Sequence, residues 1–231
     1  MSYLFNPPPV QSLAIRGKTD RFPINRLFFV CRNYHAHAVE MGKPVDKSVE
    51  RPFYFTKAPQ TLVDSGSTVA YPPETQNYHF EMEMVVAIGK PGFRVSHDKA
   101  HEVIYGYAAG LDMTRRDLQL VARDKGRPWE FGKSFAQSAP IGPIHTVAQV
   151  GHLSTATISL TVNEQPRQTS DIAKLIWSVA ESIAYLSRYE TLEPGDVIMT
   201  GTPEGVGAVV AGDVMHGHIG GLTDIVVRVA K

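Results

Sequence analysis

HFEMEMVVAIG, residues 79–89, places two glutamates one residue apart inside an otherwise apolar run. The run predicts a β-strand, and because side chains alternate across a strand, Glu81 and Glu83 share one face. The opposite face is apolar and is expected to contact a core: Phe80, Met82, Met84, Val86 and Ile88. Side chains two residues apart lie about 7 Å from each other, so the carboxylates repel unless solvent, a proton or a cation intervenes. A solvated outer face explains this stretch equally well.

A third carboxylate, Asp112, ends the next apolar strand, YGYAAGLDM (residues 105–113), where the chain turns into a predicted helix. Rigid elements commonly supply functional side chains at such ends, although Asp112 could instead cap the helix. Together with Glu81 and Glu83 it would form an all-oxygen site. Such a site suits Mg²⁺, Mn²⁺ or Ca²⁺ better than structural zinc, which prefers cysteine and histidine.

The stretch RNYHAHAVEMG, residues 32–42, contains a histidine and a glutamate three residues apart. On a short helix His37 and Glu40 would share one face, and the carboxylate could orient the imidazole and raise its basicity. The pair would then be able to take a proton from water near neutral pH. Solvated side chains on a surface helix are the alternative interpretation, and His35 is a weaker candidate still.

Basic and glycine-rich segments supply the remaining candidates. Lys133, in EFGKSFAQSAPIGP, could reach a substrate carboxylate or enolate, or it could be an ordinary loop lysine. Arg116 and Gln119 are three residues apart on a predicted helix, where they could share a face near Asp112 or be solvated. The segment TGTPEGVG lacks the Gly-Lys-Ser/Thr ending of a P-loop. Its main-chain amides and Thr202 could still bind an anion, or the segment could be a plain turn.

The overall composition excludes several classes of partner. The chain has 231 residues, of which 43% are hydrophobic, and its 23 Lys and Arg balance its 23 Asp and Glu. No global field therefore draws it toward nucleic acid or an anionic membrane. The lone cysteine, Cys31, excludes an internal disulfide framework, MSYLFNPPPV lacks the order of a signal peptide, and no apolar run approaches the roughly 20 residues that span a bilayer. We predict a cytoplasmic protein with no membrane or nucleic-acid partner.

The order of apolar runs and turn signals predicts one large domain. A Pro-rich opening, residues 1–21, is expected to be an extended arm, and residues 22–231 a single catalytic domain. Strands outnumber helices, which favours an α+β fold that is β-rich and largely antiparallel, with a few short helices. Predicted helices include residues 35–42, 114–126 and 171–190, the last of which has apolar residues spaced for one helical face.

The ordered motifs resemble those of the fumarylacetoacetate hydrolase superfamily, especially its short acylpyruvase and fumarylpyruvate hydrolase members. The motifs are RNY..H..E, HFEMEM, GLDMTRRDLQ, GKSFAQSAPIGP and GDVIMTGTPEGVG, and the match runs from about Phe22 to the C-terminus. Each motif alone is weak, but five in this order at these separations are specific. Two departures are Phe80, where a second histidine is common, and Cys31, where relatives often have glycine, which permits backbone conformations that cysteine resists.

This resemblance implies a mixed β-roll, a homodimer, and a Mg²⁺ or Mn²⁺ ion held by residues matching Glu81, Glu83 and Asp112; the all-oxygen donor set itself leaves Ca²⁺ as a third candidate. It assigns the remaining candidates by position: His37 and Glu40 as a water-activating pair on a lid helix, Lys133 as a lysine near the metal, and Arg32, Arg116, Gln119 and Thr202 as substrate-binding residues. A cation would neutralise the paired strand charges, which would explain why an apolar strand contains them.

The activity that the resemblance implies is hydrolysis of a C–C bond in a 2,4-diketo acid, an acylpyruvate. Fumarylpyruvate, which gives fumarate and pyruvate, is the best candidate substrate, and aromatic catabolism the expected context. Alternatives that keep the same metal site are decarboxylation of oxaloacetate, isomerisation of a hydroxymuconate-type acid, and metal binding without catalysis. Hydrolysis requires the lid pair to activate water, whereas decarboxylation does not.

Overall fold

The computed structural model describes residues 2–231, in which strands outnumber α-helices. The strands are β1 (Ser12–Ala14), β2 (Arg21–Pro23), β3 (Leu27–Val30), β4 (Tyr54–Lys57), β5 (Leu62–Asp64), β6 (Thr68–Val69), β7 (Tyr78–Phe80), β8 (Met82–Ile88), β9 (Ile104–Leu111), β10 (Thr114–Arg115), β11 (Ala139–Ile141), β12 (His145–Thr146), β13 (Thr157–Val162), β14 (Gln165–Asp171), β15 (Val197–Met199), β16 (Gly207–Ala208), β17 (Val214–Ile219) and β18 (Ile225–Val229). The α-helices are α1 (His35–Glu40), α2 (Arg116–Asp124), α3 (Glu130–Lys133), α4 (Val147–Val150) and α5 (Val179–Leu186), and 3-10 helices cover Pro59–Thr61, His97–Val103 and Ile172–Lys174. The predicted β-rich α+β class is confirmed.

Two large sheets form the body of the fold. The eight-stranded sheet follows the order β4-β3-β15-β8-β9-β11-β5, with β12 also paired to β9. The five-stranded sheet follows the order β14-β13-β17-β18-β6, and smaller sheets contain β10-β7-β16 and β1-β2. Most neighbours are antiparallel, whereas β15 with β3, β11 with β5 and β18 with β6 are parallel. The pair β8 and β9 therefore lies in the interior of the larger sheet, with a hydrogen-bonded strand on either side.

Residues 78–88 form two strands in different sheets and not the one continuous strand that the sequence predicts. β7 pairs with β10 and β16 in the three-stranded sheet, and β8 pairs with β15 and β9 in the eight-stranded sheet. Glu81 lies at the break between them, and its carbonyl accepts a hydrogen bond from Asp112 N (2.8 Å). The change of sheet therefore occurs next to two of the predicted metal ligands.

β8 is buried on both faces. The predicted core face is confirmed, since its side chains belong to one apolar cluster with residues of the five-stranded sheet: Phe80, Met82, Met84, Val86 and Ile88. On the other face, Val85 and Ala87 belong to a second apolar cluster, which includes Phe29. Continuous apolar runs such as MVVAI are typical of strands covered on both sides. Glu81 and Glu83 therefore lie on a covered face, and the solvated outer face is excluded.

One of the predicted helices is wrong. Segments 35–42 and 114–126 contain α1 and α2, but segment 171–190 is not one helix, because a 3-10 turn ends at Lys174 and α5 begins only at Val179. Ser178 starts this new helix through a capping box, in which its hydroxyl accepts from Glu181 N and the Glu181 carboxylate accepts from Ser178 N. The apolar periodicity is real, but it spans two elements separated by extended residues.

The N-terminal segment has an exposed part and a buried part. Residues 2–10 are exposed, whereas Leu13 and Ile15 are buried in the second apolar cluster. The division of the chain into residues 1–21 and 22–231 stays a prediction. Within residues 2–231, no helix combines the length and the apolar character needed to cross a membrane.

Candidate active site

Three carboxylates meet at adjoining ends of β8 and β9. Glu83 lies on β8, Glu81 directly precedes this strand, and Asp112 directly follows β9. The antiparallel register pairs Met82 with Leu111 and so brings the three side chains to one place. One oxygen of each carboxylate lies within 4.8 Å of the others, and all three residues are buried. The structure thus brings the predicted ligands together as a group that could hold a metal ion.

Two buried lysines contact this carboxylate group. Lys133 Nζ donates to Glu81 Oε2 (2.8 Å), Asp112 Oδ2 (2.5 Å) and Thr114 Oγ1 (2.8 Å), which occupies all three of its N–H donors. Lys57 Nζ forms an ion pair with Asp112 Oδ1 (2.7 Å). Burial raises the pKa of Asp112 in spite of the opposing charges of both lysines. Each oxygen of Asp112 lies within ion-pair distance of an ammonium group.

A buried arginine joins the group from α2. Arg116 donates to Glu81 Oε1 and to Gln119 Oε1, so the two candidates on this helix share a face as the sequence predicts. Its Nε lies 3.4 Å from His79 Nδ1. Burial, followed by the charge of Arg116, lowers the pKa of His79 to about 4. The imidazole is therefore neutral near neutral pH, and the arginine remains the cation on this side of the cluster.

Glu83 has no ion pair with a cationic side chain in residues 2–231. Burial, with the charges of Asp112 and Glu81, raises the pKa of Glu83 well above its usual range. In contrast, the charges of Lys133 and Arg116 overcome burial and hold the pKa of Glu81 well below its usual range. The cluster therefore contains one poorly compensated carboxylate, and a proton or a further cation is favoured there. The all-oxygen donor set fits Mg²⁺, Mn²⁺ or Ca²⁺.

The loop after β15 supplies both main-chain and side-chain groups. Gly201 has a φ of +96°, and a Cβ at this residue would lie 2.7 Å from Asn33 Cβ, so glycine is required. In this conformation Gly201 N donates to Glu83 Oε2 (2.7 Å). The hydroxyl of the next residue, Thr202, accepts from Gln168 Nε2 (2.8 Å). The segment TGTPEGVG is thus more than a plain turn, because its backbone orients a predicted metal ligand.

The helix α1 contains the predicted water-activating pair. His37 Nδ1 lies 3.1 Å from Glu40 Oε2, and because a carboxylate only accepts, Nδ1–H donates; in the neutral imidazole Nε2 then carries the lone pair. Glu40 Oε1 accepts from Gly205 N (3.1 Å), which ties the helix to the loop that holds Glu83. Partial burial alone would raise the pKa of Glu40, but the hydrogen bonds from His37 and Gly205 outweigh it and lower this pKa below its usual value. His37 is buried, whereas His35 is exposed.

Arg32, which precedes α1, adopts the left-handed backbone conformation with a φ of +50°, and Cys31 does not. The cysteine therefore needs no conformation that only glycine would favour. Burial raises the pKa of Cys31 well above its usual range, so its thiol stays protonated. The Arg32 guanidinium donates to Glu50 Oε2 (2.8 Å) and to Lys43 O (3.1 Å). These bonds hold the segment that follows the lid helix.

The predicted site residues surround one cavity of about 230 Å³. Nine of them line it: Arg32, His37, Glu81, Glu83, Asp112, Arg116, Gln119, Lys133 and Thr202. Glu40 contacts this set through His37. Sequence reasoning misses an aromatic part of the wall, formed by Phe53, Phe55 and Trp129. Aromatic residues are common in cores, so the sequence offers no signal that distinguishes these from others.

Lys57 is a functional candidate that sequence reasoning also misses. It ends β4, and its side chain is fully buried. Besides its ion pair with Asp112, Nζ donates to Met113 O (2.9 Å) and Ser138 O (2.6 Å). Burial lowers the pKa of Lys57 to about 8, against the opposing charge of Asp112. A lysine that ends an apolar strand is a weak signal, because exposed lysines occur in the same pattern.

A family model and several known proteins match most of this chain. Residues 26–230 match the family model described as Fumarylacetoacetate (FAA) hydrolase C-terminal. The chain is 64% identical over 185 residues to a fumarylpyruvate hydrolase of Ralstonia sp, and the match covers 80% of this chain and 96% of that protein. It is 36% identical over 193 residues to an oxaloacetate tautomerase of Escherichia coli (strain K12), with coverage of 83% and 87%.

A solved structure extends the similarity to the whole fold. The crystal structure of fumarylpyruvate hydrolase from Pseudomonas aeruginosa in complex with Mn²⁺ and pyruvate matches with a TM-score of 0.96 and 52% sequence identity. That match covers 99% of both chains. The family model, the sequence relatives and the fold agree with the motif order, and the chain belongs to the fumarylacetoacetate hydrolase family.

Proposed function

We propose that the chain is a divalent-metal-dependent hydrolase that cleaves a C–C bond in a 2,4-diketo acid, with fumarylpyruvate as the substrate and fumarate and pyruvate as products. The observation that carries this proposal is that three buried carboxylates and a His–Glu pair on a lid helix meet at one cavity. The similarity to fumarylpyruvate hydrolases, one of them solved with Mn²⁺ and pyruvate, supports the choice of substrate and metal.

In this proposal Glu81, Glu83 and Asp112 hold Mg²⁺ or Mn²⁺, with Ca²⁺ as a third candidate. When bound, the cation supplies positive charge that attracts the carboxylate and 2-keto oxygens of the pyruvoyl end and stabilises negative charge on the keto oxygen. The protein's part is rigidity, because the ligands lie next to paired strands and their oxygens are held by hydrogen bonds.

The polar side chains around the cluster position the pyruvoyl end. Lys133 has all its donors occupied, so it contributes a fixed positive charge beside the developing enolate and not a free hydrogen bond. Arg116 holds the Gln119 side-chain oxygen, which leaves the amide N–H groups of Gln119 for a substrate oxygen. Thr202 and Arg32 line the same cavity and complete the proposed substrate-binding set.

The lid pair activates water for the bond cleavage. In the neutral imidazole, Nδ1–H donates to Glu40 and Nε2 carries the lone pair, so His37 takes a proton from water while the water oxygen bonds to C4 of the substrate. The C3–C4 bond then breaks, and its electron pair leaves with C3 as the enolate of pyruvate. The proton held by the imidazole passes to C3, which gives pyruvate, and the acyl half leaves as fumarate. Glu40 stabilises the protonated imidazole during these steps.

The test is an assay of the metal-loaded chain with fumarylpyruvate, acetylpyruvate and oxaloacetate, with pyruvate and CO₂ quantified. We expect pyruvate from the acylpyruvates, loss of this activity in EDTA, and its return with Mg²⁺ or Mn²⁺. Full activity of metal-free protein contradicts the proposal. Rapid loss of CO₂ from oxaloacetate with intact acylpyruvates favours the decarboxylase, and metal binding without any turnover favours a binding module.

The proposal includes a cellular setting. We place the enzyme in the cytoplasm as a homodimer that acts in aromatic catabolism. The lone buried cysteine and the family membership support these assignments. Size-exclusion chromatography with light scattering tests the dimer, and a monomer mass under assay conditions contradicts it.

A further inference from the structure

We infer that the outer end of the cavity is a subsite for a second carboxylate, at the far end of the acyl group, and that Lys43 and Arg123 recognise it. The inference rests on the proposed function and extends it, because it defines the substrate class as acylpyruvates whose acyl chain is flat and ends in an anion. Neither residue has a role in the metal cluster or in the lid pair.

A gradient of burial defines the two ends of the cavity. At the inner end the side chains of Asp112 and Lys133 are only 1% and 2% exposed. At the outer end the Arg32 and Arg123 side chains are 24% and 29% exposed, and Lys43 is exposed. All five residues line the same cavity. A substrate held at the inner end by its pyruvoyl group therefore extends its acyl group toward basic side chains.

The basic residues at the outer end differ in how many of their N–H donors already bind other protein groups. Arg32 is bound to Glu50 (2.8 Å) and to Lys43 O. Arg123 uses Nε for Asp124 (3.0 Å) and Nη1 for Met41 O (3.4 Å), which leaves Nη2 without a hydrogen bond in residues 2–231. Lys43 Nζ has no ion pair in the same described part of the chain. Free donors for a ligand anion are therefore on Lys43 and Arg123.

The wall between the two ends suits a flat, unsaturated acyl group. Because side chains alternate along an extended strand, Phe53, Phe55 and Lys57 share one side of the chain. Lys57 contacts Asp112 at the inner end, and the Phe55 ring lies 4.9 Å from Lys133 Nζ. The Phe53 ring lies 5.1 Å from the Arg32 guanidinium at the outer end.

The indole on the facing segment closes this wall. Trp129 lies 6.2 Å from the Phe53 ring and 6.0 Å from the Phe55 ring, measured between ring centroids. The faces of these aromatic rings offer apolar contact to a planar chain, and the indole N–H of Trp129 is the one side-chain hydrogen-bond donor among the three. From the inner end outward, the cavity presents the carboxylate cluster, then the aromatic wall, and then a basic rim formed by Lys43 and Arg123. Fumarylpyruvate has a matching order: a pyruvoyl head, a conjugated chain and a distal carboxylate.

The test compares fumarylpyruvate with crotonylpyruvate, in which a methyl group replaces the distal carboxylate and the rest of the molecule is unchanged. In Lys43→Gln and in Arg123→Gln, the ratio of kcat/KM for fumarylpyruvate over crotonylpyruvate should fall roughly 10- to 100-fold, through a higher KM for fumarylpyruvate. The double variant should fall further. Arg127→Gln is the matched control, because Arg127 is an exposed arginine just beyond α2 that does not line the cavity.

An unchanged ratio overturns the inference, whether both values fall together, as expected if the residues only hold the lid segment, or neither falls. Failure of the proposed function is distinguishable, because wild-type protein would then cleave neither substrate. In that case dissociation constants of the two compounds for the Mn²⁺-loaded protein, measured by calorimetry, replace kcat/KM. Equal affinities for fumarylpyruvate and crotonylpyruvate would overturn the subsite on binding evidence alone.

Discussion

The carboxylate cluster and the helix α1 meet at one cavity, but the cluster is held by many more contacts than the helix. Glu81, Glu83 and Asp112 are buried beside paired strands, and lysine, arginine or main-chain groups contact each carboxylate. Glu40, on a helix of six residues, is 34% exposed in its side chain and is held by His37 and Gly205. The carboxylate cluster is thus built into the sheet, whereas the proposed water-activating pair lies on a short, partly exposed helix that few contacts hold in place.

Variants of the His37–Glu40 pair should show the largest difference between the two regions, because they should lower the hydrolytic rate without lowering metal affinity. Glu40→Gln or His37→Ala should lower acylpyruvate hydrolysis by roughly 10² to 10⁴, because the base that activates water is lost. Affinity for Mn²⁺ and for oxalate, a mimic of the pyruvate enolate, should persist, since the cluster is held by other residues. Steady-state kinetics and calorimetry measure the two properties separately.

The matched control for the lid is His35→Ala, because His35 lies on the same helix but is exposed. We expect the control to keep its hydrolytic rate. Oxaloacetate decarboxylation by the Glu40 and His37 variants should suffer less than hydrolysis, because loss of CO₂ needs no attacking water. Equal loss of both activities with retained oxalate binding would show that the pair closes the lid and does not act as a base.

A substitution on the sheet side should affect stability instead. Lys57→Met removes a buried cation from Asp112, and losing one partner of a buried ion pair costs about 3 kcal/mol in the free energy of unfolding. The loss should be smaller in Mn²⁺ than in EDTA, because the metal compensates Asp112. Urea denaturation under both conditions checks this, with the exposed Lys125→Met as control. An equal loss of unfolding free energy in Mn²⁺ and in EDTA would show that Lys57 does not compensate the charge of the metal cluster.

The smallest expected effect concerns the attachment of α2 to the sheet side. Asp117 accepts from Thr75 Oγ1 (2.6 Å) and Gln76 N (2.9 Å), and these bonds overcome partial burial and lower the pKa of Asp117 below 3.8. A carboxylate whose pKa is lower in the folded state than in the unfolded state stabilises the protein at pH values above its unfolded-state pKa. This stabilisation is lost as pH falls through its folded-state pKa. Asp117→Asn should therefore cost up to about 1 kcal/mol at neutral pH.

The pH dependence distinguishes this effect from general damage to the helix. The difference in unfolding free energy between wild type and Asp117→Asn should shrink as pH falls from 3.8 through the lower folded-state pKa, because the unfolded carboxylate and then the folded one become neutral. Asp124→Asn, whose carboxylate is 65% exposed, should show a smaller difference at neutral pH. A difference for Asp117→Asn that stays constant with pH would contradict the assignment to its charge.

Sequence patterns predict which side chains of this site lie together better than they predict the residues that pack around them. The period of two in HFEMEM places both glutamates on one face, and the spacing of three places His37 beside Glu40, as the structure shows. The predicted helix 171–190 is wrong because apolar periodicity does not register the Ser178 capping box that starts a new helix. Lys57 is missed because its burial depends on residues distant in the chain.

The sequence by itself determined the local relations of this protein: which carboxylates share a strand face, which pair shares a helical turn, and, through the order of five motifs, the family. Only the tertiary structure decided what surrounds them. Three features depend on segments that are far apart in sequence: the burial of the second face of β8, the contact of Lys57 with Asp112, and the pair of basic side chains, Lys43 and Arg123, at the outer end of the cavity. The physical reason is that alternation and helical period depend on neighbouring residues, whereas desolvation and ion pairing depend on how the whole chain packs.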